Sequence, residues 1–374
     1  MPKFQIKGQI ARLLSLEWFN GFQIGGSVWV LLLAARGFSL AEIGFAEGFF
    51  HLVSLCGEVP SGLMADVLGR KKTLVTSQLL FGLSALAMIA SRSLPGVCLA
   101  LGLDALGYNL SSGTREALTY DSLLAHGVQE KYLRLSSWQL ILYRLGAAAA
   151  MLCAGWAVSA GYRTCYLLDA AGAVLCLLLA AGIVEPAVTE EQRNRPVLTL
   201  RQVVAKLMEY IRISARFLAD HPKLCVMMLV TAVEGGCAVL LLFFLQDGLP
   251  AAGADPAWLG LLLVILQLGS VIGARLGVRL GGFPFRRMYL VCFLGVAAGI
   301  ALCTTGSVVW LTVGGFCAAL FDEACNLVTD AKLNDQFPSD QRATLASVQS
   351  LLYSLVMIAL SPPAGLAAEH MFSF

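Results

Sequence analysis

Apolar runs of about 20 residues recur along the whole of this 374-residue chain, separated by short polar breaks. Twenty residues of α-helix rise about 30 Å, the thickness of a bilayer's hydrocarbon core. The runs fall at about 9–35, 40–66, 72–92, 95–124, 131–159, 163–184, 223–247, 257–280, 286–304, 307–331 and 342–367, which is eleven expected spans. Charge is scarce to match: 13% of residues are charged and 58% are hydrophobic, where a soluble domain carries about 25% charged residues. Too little polar surface is left to cover a water-soluble particle. The expected fold class is an all-α integral membrane protein.

The basic residues set an orientation. With the N-terminus in the cytoplasm, 21 of the 26 Lys and Arg fall in cytoplasmic segments, while Arg36, Arg92 and Arg163 lie outside and Arg115 and Arg144 lie within helices. A bias of that size over short loops points to a multi-pass protein of the cytoplasmic membrane with a cytoplasmic N-terminus. No small-residue cleavage site follows the first run, so it reads as an uncleaved helix. The net charge of +2 gives no footprint for nucleic acid. The 11 cysteines sit almost entirely in the apolar runs without C-x-x-C spacing, so they read as free packing thiols. No metal or cofactor is expected.

One long polar break, residues 185–222, divides the chain. It gives an N-terminal bundle over 1–184, a cytoplasmic linker over 185–222 and a C-terminal bundle over 223–374. In the linker, Leu200, Val203, Val204, Leu207, Met208, Ile211 and Leu218 recur at helical spacing, with Arg201, Lys206, Arg212 and Arg216 mostly off that stripe. That pattern suits an amphipathic helix lying on the membrane surface. The halves also resemble each other. Leu135, Ser137, Gln139, Leu142, Tyr143 and Leu145 reappear as Leu345, Ser347, Gln349, Leu352, Tyr353 and Leu355, always 210 residues on. Two parallel repeats of six helices would put a twelfth helix after residue 367, where the sequence runs only to Phe374.

The most specific motif is the loop Gly62-Leu63-Met64-Ala65-Asp66-Val67-Leu68-Gly69-Arg70-Lys71-Lys72 between the second and third runs. It resembles the loop between helices 2 and 3 of major facilitator superfamily transporters, which reads roughly G-x-L-a-D-r-x-G-r-k-x-x-L. Gly62, Leu63, Ala65, Asp66, Gly69, Arg70, Lys71 and Leu74 match, and Val67 departs. The preface Glu58-Val59-Pro60-Ser61-Gly62 is similar to a bacterial branch of drug-efflux and general permeases. The resemblance implies two pseudo-symmetric six-helix bundles around a polar cavity, here with the last helix missing. It also implies that the loop is a conformational latch. Asp66 would accept from the N-terminus of helix 11 near Arg342, and Arg70 would pair with Asp121. Gly62, Gly69 and Lys71 complete the motif. Residues Gly273 to Arg287 would be its worn second copy.

Ionisable residues at membrane depth cost roughly 2.5–3.5 kcal/mol each on insertion scales, so each needs a partner or a wet cavity. Glu47 and His51 stand at i,i+4 on the second run, close enough to share a proton, and are a relay candidate. The resemblance places helices 1, 4, 7 and 10 around the cavity. The candidates there are Glu17, Asn20 and Gln23, then Arg115 and Glu116, then Glu234, then Asp322, Glu323 and Asn326, with Arg144 on helix 5. Five acids against two arginines leave an acidic surplus, which suits protons and cationic or zwitterionic solutes. Glu234 is the single strongest candidate, and Glu17 and Glu116 are the expected partners of the arginines. The resemblance has gaps: helix 5 lacks the glycine-proline pattern of many drug/proton antiporters, and helix 4 has Asp104 before Gly107 where an arginine motif is usual.

The expected function is secondary active transport of a small organic solute by alternating access, proton-coupled and directed outward, by a monomer in the bilayer. Uptake by proton symport and a non-transporting role as a membrane sensor or assembly partner are the alternatives. No nucleophile with a base, phosphate loop or metal spacing points to an enzyme.

Overall fold

The computed structural model describes residues 5–186, 200–336 and 342–373. Within these it leaves out the side chains of Val59, Leu63, Asp66, several residues between 200 and 210, and 342–346. No strand occurs among the described residues. In chain order the helices are α1 (Ile6–Gly21), α2 (Ile24–Ser27), α3 (Trp29–Ala34), α4 (Leu40–Leu68), α5 (Arg70–Ala90), α6 (Leu94–Ser111), α7 (Thr114–Leu124), α8 (Tyr132–Leu152) and α9 (Ala154–Ala160). There follow α10 (Tyr162–Ala181), α11 (Leu200–Asp220), α12 (Pro222–Ala251), α13 (Pro256–Leu280), α14 (Phe285–Cys303), α15 (Val308–Asn334) and α16 (Arg342–Met371).

Eight of these are long and apolar enough to cross a bilayer, and α8 with α9 makes a ninth bent by 52°. The expected count of eleven spans is not confirmed by this measure, which asks for unbroken apolar helices among the described residues. The two others, 9–35 and 95–124, are helical but broken. The first breaks at Phe22–Gln23 and again at Val28, into α1, α2 and α3. The second breaks at Ser112–Gly113, where Gly113 takes φ +70°, a conformation that favours glycine. The linker helix expected from 200 onward is present as α11.

Contacts group the chain into two compact units. Unit 1 holds Met1–Ser27, Val53–Cys153 and Ala160–Tyr210; unit 2 holds Val28–Leu52, Ala154–Ser159 and Ile211–Phe374. Unit 1 is built on α1 against α8 and α10, and α5 against α6 and α10. Leu13, Leu16, Leu74, Leu118, Cys176, Ala180 and Ile183 form its buried cluster. Unit 2 is built on α15 against α12, α13 and α14, and α12 against α3 and α16.

Lipid is as apolar as leucine, so close helix contact in a membrane comes from small residues that let backbones approach. That explains the glycines here. In unit 1, Gly21 lies on the Tyr143 carbonyl and Gly146 lies 2.5 Å, at the position of an added Cβ, from the Trp18 carbonyl oxygen. In unit 2, Gly44 lies on the Ser361 carbonyl and Gly365 on the Leu40 carbonyl. The second pair binds the first half of α4 to α16. The same junction is closed by the Ala41 N–H, which donates to Glu369 Oε1 at 2.9 Å, and α3 is tied to α12 by the Leu31 N–H, which donates to Gln246 Oε1 at 3.4 Å. Residues 28–52 therefore belong by packing with helices that the sequence places far downstream.

Candidate functional site

Unit 1 encloses a cavity of about 390 Å³ lined by residues of α1, α5, α6, α7 and α8 and by Gln23 at the first break. Glu17, Asn20, Gln23, Arg115 and Glu116 line it, as expected from the sequence, together with Asp104, Ser136 and Gln139. Phe81, Tyr108, Tyr132 and Tyr143 supply aromatic faces. Breaks in the helices position these groups. The Phe22–Gln23 kink lies beside Asn20 and Gln23, and the Ser112–Gly113 kink starts α7 two residues before Arg115. Irregular backbone at membrane depth is tolerated where it is buried in protein or lines a polar cavity.

The Arg115 guanidinium donates from Nη1 to Glu17 Oε2 at 2.6 Å. Gln139 Nε2 donates to the other Glu17 oxygen at 3.3 Å and to Thr119 Oγ1 at 3.2 Å. Glu17 is thus the partner of Arg115, one of the two partners expected. Glu116 is exposed to the cavity and forms no ion pair among the described residues. Arg115 Nε, Asn20 Nδ2 and Ser136 Oγ are buried there without a hydrogen-bond partner in the protein. The lining holds three carboxyl groups (Glu17, Asp104, Glu116) against one guanidinium, with donors left open for a ligand. Arg144 is exposed on α8 and is not part of this lining.

The remaining cavity candidates are in unit 2. Glu234 on α12 is 2% exposed, with its carboxyl group against the Cys325 thiol. The Cys325 thiol and Asp322 of α15 are its ionisable neighbours. Asn326 Nδ2 donates to Asp322 Oδ1 at 2.6 Å, and the Thr231 and Thr329 hydroxyls meet at 3.3 Å. Gly235 leaves the room for Asp322, whose Oδ1 would lie 2.9 Å from an added Cβ. Glu323 packs at the α13 crossing, where its Cβ faces Gly273. A carboxylate buried beside a thiol and a second acid, without a counter-charge among the described residues, costs several kcal/mol.

Glu47 and His51 do meet, at 3.3 Å, and both belong to unit 2. The His51 ring packs edge-on against Phe50 and Tyr353. In the signature loop, Arg70 Nη1 pairs with Asp121 Oδ2 and also donates to the Ala117 carbonyl at 2.9 Å. The contact expected of Asp66 lies outside the described side chains. Gly69 turns the chain with φ +96°.

Two residues that carry part of this architecture were not singled out in the sequence. Glu185 caps α5: the Arg70 and Lys71 N–H groups donate to its two carboxylate oxygens at 2.8 and 3.1 Å. It reads in sequence as the first residue of a polar linker and gives no signal. Asp169 accepts from the backbone at the first break (Ile24 N, 2.7 Å; Gly26 N, 3.0 Å). Its signal was available, since it is the one acid in the apolar run Tyr162–Ala181. Among the described residues no group of His, Cys, Asp and Glu is arranged to hold a metal ion.

Comparison with known proteins agrees with this architecture. The family model of the Major Facilitator Superfamily matches residues 14–362. Comparison with curated protein sequences finds no match. Among solved structures, a point mutant of the nucleoside transporter NupG is 14% identical, with 96% of this chain and 91% of that chain covered at a TM-score of 0.69. A bacterial homologue of the human lysosomal transporter Spinster is 15% identical over 97% and 82% of the two chains, at 0.71. A D-xylose–proton symporter is 17% identical over 99% and 97%, at 0.65. Identities this low speak for the fold alone, while the family match spans nearly the whole chain. The chain belongs to the Major Facilitator Superfamily of transporters.

Proposed function

We propose that this protein is a secondary active transporter that exports a small organic cation or zwitterion across the cytoplasmic membrane in exchange for protons. The N-terminal and C-terminal bundles, 1–184 and 223–374, would alternate access about the cavity, with residues 185–222 and the N-terminus on the cytoplasmic side. The observation that carries the reading is the unit 1 cavity: three carboxyl groups against one guanidinium, beside four aromatic rings. An acidic, aromatic-lined cavity favours a cation through charge and ring faces together. Glu234 supports the proton linkage, because its burial beside a thiol and a second acid, without a counter-charge, makes a transferable proton the simplest neutraliser. Glu47 with His51 is a second proton-handling pair, and Asp66, Arg70 and Asp121 act as the latch.

Arg115 favours a second reading. Its Nε–H is buried in the cavity without a partner and suits an anionic group of a solute taken up by symport. Everted vesicles separate the two directions. An acid-inside gradient is imposed, and its dissipation is followed by acridine orange as solutes are added. Exchange with organic cations such as ethidium supports export. Dissipation by organic anions alone, or none with any solute in a panel spanning both charges, would refute it. Glu234→Gln should abolish the solute-driven proton movement.

A further inference from the structure

We propose that Asp169 is the positioning residue that holds the break in the first span, and so sets Asn20 and Gln23 in the cavity. At this break the helical ladder is interrupted. Phe22 leaves helical geometry with ψ 72°, and the Gln23 N–H turns back to the Gly21 carbonyl at 3.0 Å. In a continuous helix the Ile24 and Gly26 N–H groups would bond the carbonyls of Asn20 and Phe22. Here they donate instead to Asp169 Oδ1 and Oδ2, at 2.7 and 3.0 Å, with the Gly25 N–H directed at the same carboxylate. An unsatisfied backbone group at membrane depth costs several kcal/mol. One carboxylate from α10 thus replaces carbonyls that the kink removes, through charge-assisted hydrogen bonds.

The local sequence fits that role. An added Cβ at Gly25 would lie 2.8 Å from Asp169 Oδ2 and 2.9 Å from the Tyr166 ring, so the carboxylate reaches the amides only because residue 25 is glycine. Gly146 of α8 also lies against the bend, where an added Cβ would fall 3.0 Å from Phe22 N. The segment between these two contacts carries Asn20, whose buried Nδ2 has no partner in the protein, and Gln23, both of them cavity-lining. Asp169 itself is not part of the cavity lining. It acts through the backbone and not by touching the solute.

The transport reading gives this position its meaning, but the test does not depend on transport. Hydrogen–deuterium exchange on the full chain in nanodiscs reads the amides of residues 24–26. Asp169→Ala should speed their exchange at least tenfold, and Asp169→Asn, which keeps one acceptor oxygen, should protect only part of the set. Gly25→Ala should reproduce the Asp169→Ala effect, and the double variant should add little to either. In parallel, Gln23→Cys is labelled with the cationic thiol reagent MTSET and read at that residue by mass spectrometry. Its labelling rate should change several-fold when Asp169 is replaced. Unchanged exchange at 24–26 would overturn the anchor. Faster exchange with unchanged labelling at position 23 would overturn the positioning of the cavity. Additive effects of Asp169→Ala and Gly25→Ala would show that the two do not act through one contact, and would overturn the proposal as well. Should Asp169→Ala fail to fold, Asp169→Asn and Gly25→Ala carry the same comparisons. Absence of transport by the unmodified protein, with every anchor result as expected, would count against the transport reading alone.

Discussion

Alanine at position 146 tests whether close backbone contact holds α1 to α8. Its Cβ would lie 2.5 Å from the Trp18 carbonyl oxygen, 3.0 Å from Phe22 N and 3.2 Å from the Gly21 carbonyl carbon. Comfortable contact needs about 3.5 Å, so the two helices must part by about 1 Å. Overpacking of this kind costs about 1–3 kcal/mol. The control is Gly172 on α10, where an added Cβ meets nothing within 4 Å. There alanine removes only the helix penalty of glycine, a gain of about 0.5–1 kcal/mol. At about 2 °C per kcal/mol for a long chain, Gly146→Ala should lower Tm by about 2–6 °C and Gly172→Ala should raise it by about 1–2 °C. The protein carries its own reporters: Cys98, Cys165, Cys176, Cys292, Cys303 and Cys325 are buried thiols, and a thiol-reactive fluorogenic dye reads their exposure on heating. Equal Tm shifts for the two substitutions, or a stabilised Gly146→Ala, would refute the account of the crossing.

Other perturbations follow from single contacts. Arg115→Met leaves Glu17, 6% exposed, with only Gln139 beside it; the loss should be about 3 kcal/mol in unfolding assays and should be partly restored by adding Glu17→Gln. Glu185→Ala frees the Arg70 and Lys71 N–H groups at the start of α5 and should cost about 0.5–2 kcal/mol, measured as a Tm drop. In a double-mutant cycle, Arg70→Ala and Asp121→Ala should each impair transport while the pair is no worse than either alone; full additivity would contradict a shared latch. Asp66→Ala should cut transport without loss of expression, and normal transport by this variant would sink the latch role of that residue.

The long apolar runs and the signature loop made the family legible. They state length, hydropathy and a turn that needs glycine, all of which are local properties of the chain. The Arg70–Asp121 pair was implied by the resemblance of the loop, and Glu17 was one of two partners expected for the buried arginines because a charge in an apolar run must find another. The breaks were not legible. Asn20-Gly21 and Gly25-Gly26 are unremarkable in a glycine-rich chain until Asp169, over 140 residues on, is seen to accept the amides of Ile24 and Gly26. Glu185 was hidden in the same way, since a cap is defined by which helix end it meets. The candidate cavity set was grouped on the family resemblance, which places helices 1, 4, 7 and 10 around one cavity. Within unit 1, Glu17 and Arg115 line one cavity; within unit 2, Glu234 and Asp322 are neighbours.

The membership of residues 28–52 in unit 2 has a consequence for biosynthesis. Ala41 finds its acceptor, Glu369, 328 residues later, and Leu31 finds Gln246 215 residues later. At about 5–20 residues per second, the early segment waits about 15–65 s for its partner to be made. During that interval the glycine face at Gly44 has no helix against it, and lipid or an insertion factor must stand in. Completion of α16 is then the event that ends the wait, and ribosomes stalled before it should leave residues 28–52 open to protease or cross-linker.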